Sequence, residues 1–152
     1  MKVDIFTLCD AAKVYEGKLS ILGSFDAVVL SEVPAKYPAA AIAIKLRFER
    51  IEQGEKKIRI SFIDADGKEI LRSLEKQITV KVSDPFNTKT ISFVIGMPGL
   101  KFQRFGYYAI LLAVDGRIEA EMPLRVLRHF DFLLVKVAAS ESSDSVVIFQ
   151  GK

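Results

Sequence analysis

The residue types that could carry covalent or metal chemistry are scarce in this chain, which has one cysteine, Cys9, and one histidine, His129. A cysteine nucleophile needs a base within hydrogen-bond reach, so an active site would require these two residues to meet in the fold. A tetrahedral zinc site needs more ligands than this pair can offer. We therefore expect Cys9 to be a buried small side chain and His129 a surface or strand-end residue, with an enzyme or metal protein that uses both as an alternative.

The segment from Asp64 to Gly67 resembles the start of a calcium-binding loop, and Glu75 falls at the twelfth position of that loop. Lys68 stands where a third oxygen ligand belongs, however, and Glu69 replaces the glycine required at the sixth position. The segment therefore predicts a turn. The glycine patterns of phosphate-binding loops are absent from the sequence, and we expect no catalytic residue, cofactor or metal ligand.

Size and composition predict one β-sandwich domain over residues 1–128, with residues 129–152 as a C-terminal extension. The chain has 152 residues, 50% of them hydrophobic, and a net charge of +3. A single cysteine cannot form an internal disulfide, which favours a reducing compartment. No apolar run has the length of a signal-peptide core or a membrane span, so we expect a soluble cytoplasmic protein that does not associate with membranes.

The elements that must position these residues are strands, because apolar residues recur at every second position from Ala41 to Phe62 and from Ile78 to Val126. The pattern predicts an all-β fold, an immunoglobulin-like antiparallel β-sandwich of about eight or nine strands. A two-residue hairpin turn is expected at Asp115 and Gly116. Tyr108 is predicted to form a tyrosine corner, with its ring buried and its hydroxyl bonded to nearby backbone, while Tyr107 faces outward.

Other segments predict connections. The first strand is expected from Lys2 to Leu8, followed by a loop that ends at Glu16 and Gly17. A crossing loop is expected between Pro34 and Pro38, because proline lacks the N–H group that a strand ladder needs.

The alternation on either side of Gly54 predicts a hairpin with a basic outward face. Its cations would lie on adjacent strands, about 5 Å from their neighbours. This face is a possible surface for an anionic ligand or nucleic acid, and the alternative is an ordinary solvated face, since no aromatic side chain is interleaved for base stacking. The four cations are Lys45, Arg47, Lys57 and Arg59.

A second surface is apolar. The strand that begins at Tyr107 is hydrophobic on both parities, with Leu111 on its outward side. The extension contains Phe132 and Leu134 in a short apolar run, which favours a pair of extra strands, with a short helix packed on the sheet as the alternative. An exposed face of this kind needs a cover. We expect Tyr107, Leu111, Phe132 and Leu134 to form an interface, either between the extension and the sheet or with a second subunit or another protein.

Four segments of the sequence are similar to those of a known family: Leu8 to Ala12, Gly17 to Asp26, Arg47 to Glu52 and Phe62 to Gly67. Through them the chain resembles a family of small bacterial proteins of unknown function with an immunoglobulin-like β-sandwich. The resemblance covers about residues 2 to 126 and implies a bacterial source and a single small domain. It implies no activity, substrate or functional residue.

These observations together predict a non-enzymatic binding or protein-interaction module of unknown ligand. Binding of an anionic ligand or nucleic acid on the basic hairpin is the second function considered, and the third is an enzyme or metal protein that uses Cys9 and His129. The sequence does not identify a partner.

Overall fold

The computed structural model describes residues 1–131, and within that range the chain folds into nine strands with one short 3₁₀ turn at Arg50–Glu52. The strands have these bounds: β1 Lys2–Tyr15, β2 Lys18–Ser24, β3 Ala27–Leu30, β4 Ala35–Glu49, β5 Gly54–Asp64, β6 Leu74–Val80, β7 Thr88–Phe102, β8 Gly106–Val114 and β9 Arg117–Arg128. The predicted all-β class is confirmed. Residues 129–131 are helical, and the remainder of the predicted extension, with Phe132 and Leu134, lies outside the described residues.

The strands form two sheets, which we name sheet A and sheet B. Sheet A has the order β2-β1-β4-β7, and sheet B has the order β3-β9-β8-β5-β6. Neighbouring strands are antiparallel except at the edge of sheet B, where β3 runs parallel to β9. The expectation of a wholly antiparallel sandwich is therefore wrong at this edge. The chain reaches β3 from sheet A rather than through a hairpin, so its direction is not tied to that of its neighbour.

The core lies between the two sheets and follows the period-two pattern of the sequence. The inward residues of the central strands are buried. Most of the residues between them are more exposed, except that Ala41 and Ala43 of β4 and Ser61 of β5 are also buried. Among the largest side chains with almost no exposure are Phe48, Ile44 and Leu46 of sheet A and Ile60, Ile110 and Leu112 of sheet B.

Strands β4 and β5 do not form the predicted hairpin, because they belong to different sheets. The 3₁₀ turn between them carries the chain across the sandwich, and the side chain of Glu52 accepts a hydrogen bond from the Glu49 N–H at 2.8 Å. The Gln53 side chain then accepts one from the Val82 N–H at 2.9 Å. The alternation correctly indicates which residues point inward, but it does not indicate which strand each one pairs with.

Strand β1 extends well beyond the predicted end at Leu8 and pairs with β2 as far as Tyr15. The residues predicted to form a loop are therefore strand, and the turn is only Glu16 and Gly17, with φ of 48° and 73°. Alanine, aspartate and lysine are weak strand formers, and the cross-strand contacts of this hairpin outweigh that preference. We call residues 10–24 the arm.

The arm folds back over the outer face of sheet A. It departs from β4 beyond the pairing of Cys9 with Ala41, and β2 contacts both β4 and β7. Ala12 and Leu19 of the arm pack with the buried residues Cys9, Ala41 and Ala43. The bend lies where Gly23 adopts a φ of +64° and leaves room for the side chain of Asp10, because a Cβ at Gly23 would lie 2.4 Å from Asp10 Oδ2.

The departure of the arm also explains why the segment between Pro34 and Pro38 is not the predicted crossing loop. Strand β4 begins at Ala35 and includes Pro38. Its first residues pair with β7 alone, since β1 joins the ladder only from Ala41 onward. Pro38 therefore lies on a locally unpaired edge, where a missing N–H group removes no ladder hydrogen bond.

Candidate interaction surface

The tyrosine corner sets the orientation of β8. The Tyr108 ring is 7% exposed and packs edge-on against Phe102, with ring centroids 5.2 Å apart. Its hydroxyl donates to the Arg104 carbonyl at 2.8 Å and accepts from the Arg104 N–H at 3.3 Å. This prediction is confirmed. Because Tyr108 points inward, alternation directs Tyr107 outward, and 69% of Tyr107 is exposed.

The residues beside β8 extend its outward side into an apolar surface. Ala109 lies between Ile63 of β5 and Pro123 of β9, and Leu111 lies between Ser61 and Glu121. Pro123 is exposed, Ile63, Ala109 and Leu111 are half-buried, and Ser61 is buried. We call Ile63, Tyr107, Ala109, Leu111 and Pro123 the Tyr107 face.

Charged residues of both signs surround the Tyr107 face. Arg125 stands opposite Tyr107 on β9 and forms an ion pair with Asp26 at 3.2 Å. On the opposite side, Arg59 pairs with Glu69 at 2.9 Å. A hydrogen bond from Ser73, together with the Arg59 guanidinium, lowers the pKa of Glu69. The rim therefore holds paired charges, whereas the centre is apolar.

The four predicted anion-binding residues do not form one surface. Lys45 and Arg47 lie on sheet A, whereas Lys57 and Arg59 lie on β5 of sheet B. The basic hairpin face is therefore a wrong prediction, and its cause is the misassigned pairing of β4 with β5. Lys57 pairs with Glu75 at 2.9 Å.

Arg47 is occupied by a carboxylate on β1. Its guanidinium donates to both oxygens of Asp4, at 2.6 and 3.0 Å. This hydrogen bond is the largest cause that holds the pKa of Asp4 below its ordinary value, with smaller contributions from Lys2 and Lys45. The sequence did not reveal Asp4 as a partner, because the irregularity between Val3 and Ile5 shifts the register at this point.

Cys9 and His129 are not brought together. Cys9 is fully buried beneath the arm, and its thiol donates to the Ala41 carbonyl at 3.3 Å. Burial raises the pKa of the Cys9 thiol, which favours the less reactive protonated form. His129 is exposed and follows β9 of sheet B, and no hydrogen bond joins it to Cys9.

The carboxylates of the Asp64 turn are occupied by internal donors. Asp64 Oδ1 accepts the N–H groups of Asp66 and Lys68, each at 3.0 Å, and the Lys68 bond is the largest cause of the lowered pKa of Asp64. Arg104 bridges Asp64 and Asp66, with both contacts at 3.1 Å. Within residues 1–131 no group of three or more histidine, cysteine or acidic residues could hold a metal ion.

Sequence reasoning missed two residues of the Tyr107 face for a specific reason. Ile63 and Pro123 join it only through the pairing of β8 with β5 and β9. The sequence offers one indication of Ile63, since it is an apolar residue on the outward parity of its strand.

In the described part of the chain, no helix is both long and apolar enough to cross a membrane.

Comparison with known proteins gives a family and weak similarities to solved structures, two of which are described below. The model of the Family of unknown function (DUF6941) matches residues 4–127. No curated protein matches the chain. The chain is similar to an alkylpurine DNA glycosylase, AlkC, of Pseudomonas fluorescens, solved bound to DNA containing an abasic site analog, at 8% identity and a TM-score of 0.43 over 83% of this chain and 30% of that one. It is also similar to a β-glucosidase of Listeria innocua in complex with isofagomine, at 9% identity and a TM-score of 0.44 over 80% of this chain and 16% of that one. The chain thus spans less than a third of either protein.

Proposed function

The chain belongs to the Family of unknown function (DUF6941), and we propose that it is a non-enzymatic protein-interaction domain that associates with a second copy of itself through the Tyr107 face. The observation that carries the proposal is the composition of this face. It has an apolar centre with an exposed tyrosine, and a rim of charged residues that includes an arginine. Protein interfaces have this arrangement, and tyrosine and arginine are over-represented among the residues that dominate binding energy.

We also propose that the sandwich is of the immunoglobulin-like type. Two features support this assignment. The early strand β3 pairs in parallel with β9, the final strand of the described residues, at the edge of sheet B. The tyrosine corner formed by Tyr108 and Arg104 is a recurrent element of such sandwiches. In this arrangement the Tyr107 face belongs to β5, β8 and β9, which form the centre of sheet B.

The charges on β9 favour a second copy as the partner. Glu121 and Arg125 are both exposed and lie on either side of Pro123 on the same strand. A two-fold axis that lies in the plane of the face, perpendicular to β9 and passing at the level of Pro123, would place Glu121 of each copy opposite Arg125 of the other. A surface with both signs around an apolar centre is therefore complementary to itself, as a two-fold interface requires.

The first test measures the association state of the full chain by sedimentation velocity over a range of concentrations. We expect the unmodified chain to form a dimer and Tyr107→Lys to remain a monomer, because the substitution places a cation in the apolar centre. Tyr15→Lys is the matched control, since Tyr15 is similarly exposed, at 62%, but lies on the arm. A monomeric unmodified chain, or a dimeric Tyr107→Lys chain, would refute the proposal.

Charge exchange tests the two-fold arrangement. Glu121→Arg and Arg125→Glu should each weaken the dimer by about tenfold in Kd, which corresponds to about 1.4 kcal/mol. The double variant should recover most of the loss, because each new cation again faces a new anion. Failure of the double variant to recover affinity would exclude this pairing. A third chain, with Phe132→Ser and Leu134→Ser, tests whether the extension contributes to the contact, as the sequence predicts.

A further inference from the structure

Strand β7 is the end strand of sheet A in the described part of the chain. Its fifteen residues pair with β4 along almost the whole length, from Thr88 with Glu49 to Phe102 with Ala35. In an antiparallel ladder, every second residue directs its N–H and C=O groups away from the neighbouring strand. The free side of β7 therefore presents a long row of hydrogen-bonding groups that could pair with an added strand.

The middle of this edge lacks the features that ordinarily prevent strand addition. Proteins protect exposed edges with charged residues, prolines, bulges or a short strand length. From Thr90 to Met97, β7 contains neither a charged residue nor a proline, and it is rich in residues that favour strands, such as Ile91 and Phe93. Pro98, which lacks a backbone N–H group, follows this window of residues 90–97 and so does not interrupt its row of N–H donors. The window is thus a preformed template for a partner strand.

The charged residues of β7 itself are all of one sign. Strand β7 has no acidic residue, and Lys89 and Lys101 lie on either side of the window. Lys45 of β4 stands directly opposite Ser92, and none of the ion pairs among the described residues includes it. Arg47, its neighbour, is held by Asp4. These lysines give the edge a preference for an acidic partner.

Lys45 can reach across β7 to an added strand. Adjacent strands lie about 4.8 Å apart, so a residue two strands away in the same row is about 10 Å from Lys45. A lysine and a glutamate side chain together can span this distance. The residue between them is Ser92, whose small side chain leaves the path open. The same row on an added strand is therefore the position for a carboxylate.

We propose that the free edge of β7 binds an extended acidic peptide segment of a partner protein by strand addition. Backbone pairing along Thr90 to Met97 would supply affinity, and carboxylates beside Lys45, Lys89 and Lys101 would supply preference for acidic sequences. The proposal is independent of the Tyr107 face, which lies on the other sheet.

The test uses three synthetic fluorescent peptides that can span the window. The first alternates valine and threonine and has glutamate near both ends, the second has lysine in place of glutamate, and the third is the first with alternate backbone nitrogens methylated. Fluorescence anisotropy should show binding of the first peptide and about tenfold or weaker binding of the other two. Equal binding of the methylated peptide would overturn the proposal, because it would mean that charge alone attracts the peptide.

Two variants of the full chain locate the site. Lys45→Glu combined with Lys89→Glu should weaken binding of the acidic peptide by about tenfold or more, whereas Lys57→Glu on sheet B should leave it unchanged. Thermal unfolding of each variant verifies that it is folded. Equal loss with Lys57→Glu would overturn the proposal. The proposal would also be overturned if sedimentation showed that the peptide dissociates a dimer of the chain, because the edge would then bind a second copy. Tyr107→Lys should bind the peptide normally, so the two proposals fail separately.

Discussion

The outer faces of the two sheets differ in whether the chain itself covers them within residues 1–131. On sheet A the outward residues near the centre are small, and the arm packs on Cys9, Ala41 and Ala43. Cys9 and Ala43 are fully buried as a result. On sheet B the outward residues include Tyr107 and Leu111, and no strand in residues 1–131 crosses them. The difference teaches that apolar character on both parities of a strand has two distinct meanings. It indicates internal cover in sheet A and, in our proposal, a partner in sheet B.

The largest expected effect comes from one charge placed on each face. Ala43→Asp would bury a carboxylate beneath the arm and should lower the free energy of unfolding by about 3 kcal/mol or more. Ala109→Asp, on the half-buried Tyr107 face, should lower it by less than about 1 kcal/mol, since its carboxylate can reach water. Urea denaturation of both variants measures the contrast. Equal losses would mean that sheet A is not covered more deeply than sheet B.

Lifting the arm should have a smaller effect. Gly23→Ala places a Cβ at a positive φ and close to Asp10, and it should cost about 1 to 2 kcal/mol. It should also accelerate modification of Cys9 by a thiol reagent. The control is Gly17→Ala, which has a positive φ but an open surrounding, so it should cost about 1 kcal/mol and leave the Cys9 rate nearly unchanged. An unchanged rate of Cys9 modification in Gly23→Ala would mean that the bend at Gly23 is not needed for the arm to cover Cys9.

The adjacent tyrosines of β8 provide a finer contrast. Tyr108→Phe removes the hydroxyl that donates a hydrogen bond to the Arg104 carbonyl, and it should lower the free energy of unfolding by about 1 kcal/mol. Tyr107→Phe should change stability by less than about 0.5 kcal/mol, because its hydroxyl is on the exposed face. Thermal unfolding of the two variants at low protein concentration measures both effects. A larger cost for Tyr107→Phe would show that the outer face already stabilises the single chain.

The smallest expected effect is the loss of stability at acidic pH that two carboxyl groups cause. Arg47 lowers the pKa of Asp4 on sheet A, and Ser73 with Arg59 lowers that of Glu69 on sheet B. A carboxyl with a lowered folded-state pKa contributes stability above its unfolded pKa, about 4, and loses it as the pH falls through the folded value. Asp4→Asn and Glu69→Gln should each flatten the acid side of the stability curve. Urea midpoints from neutral pH to about pH 3 measure this, and an unchanged curve would mean that the ion pair is lost in solution.

The sequence predicted the features that depend on neighbouring residues. Alternation identified the inward residues of β4, β5 and β9, and Asp115 with Gly116 identified the two-residue turn, where both residues have positive φ, 50° and 83°. Tyr108 was identified from a short motif. Each of these properties is set by local backbone geometry and by side-chain period, which a sequence displays directly.

The sequence did not predict pairing between distant segments. The separation of β4 from β5 depends on a three-residue 3₁₀ turn that resembles a hairpin signal. The arm depends on a glycine bend and on contacts with alanines of another strand. The Tyr107 face depends on which strands flank β8. In each case a long-range contact decides the outcome, and single-sequence patterns contain no record of it.

The parallel contact of β3 with β9 has a consequence for synthesis of the chain. Asp26 and Arg125, which join the two strands, are 99 residues apart in sequence. Contacts between such distant residues slow folding, because the loop that separates them must close before they gain anything. A ribosome releases the N-terminal end first, so β3 must wait without its partner until β9 emerges. The pairing of β3 in sheet B is thus made only after residues 117–128 have been synthesised.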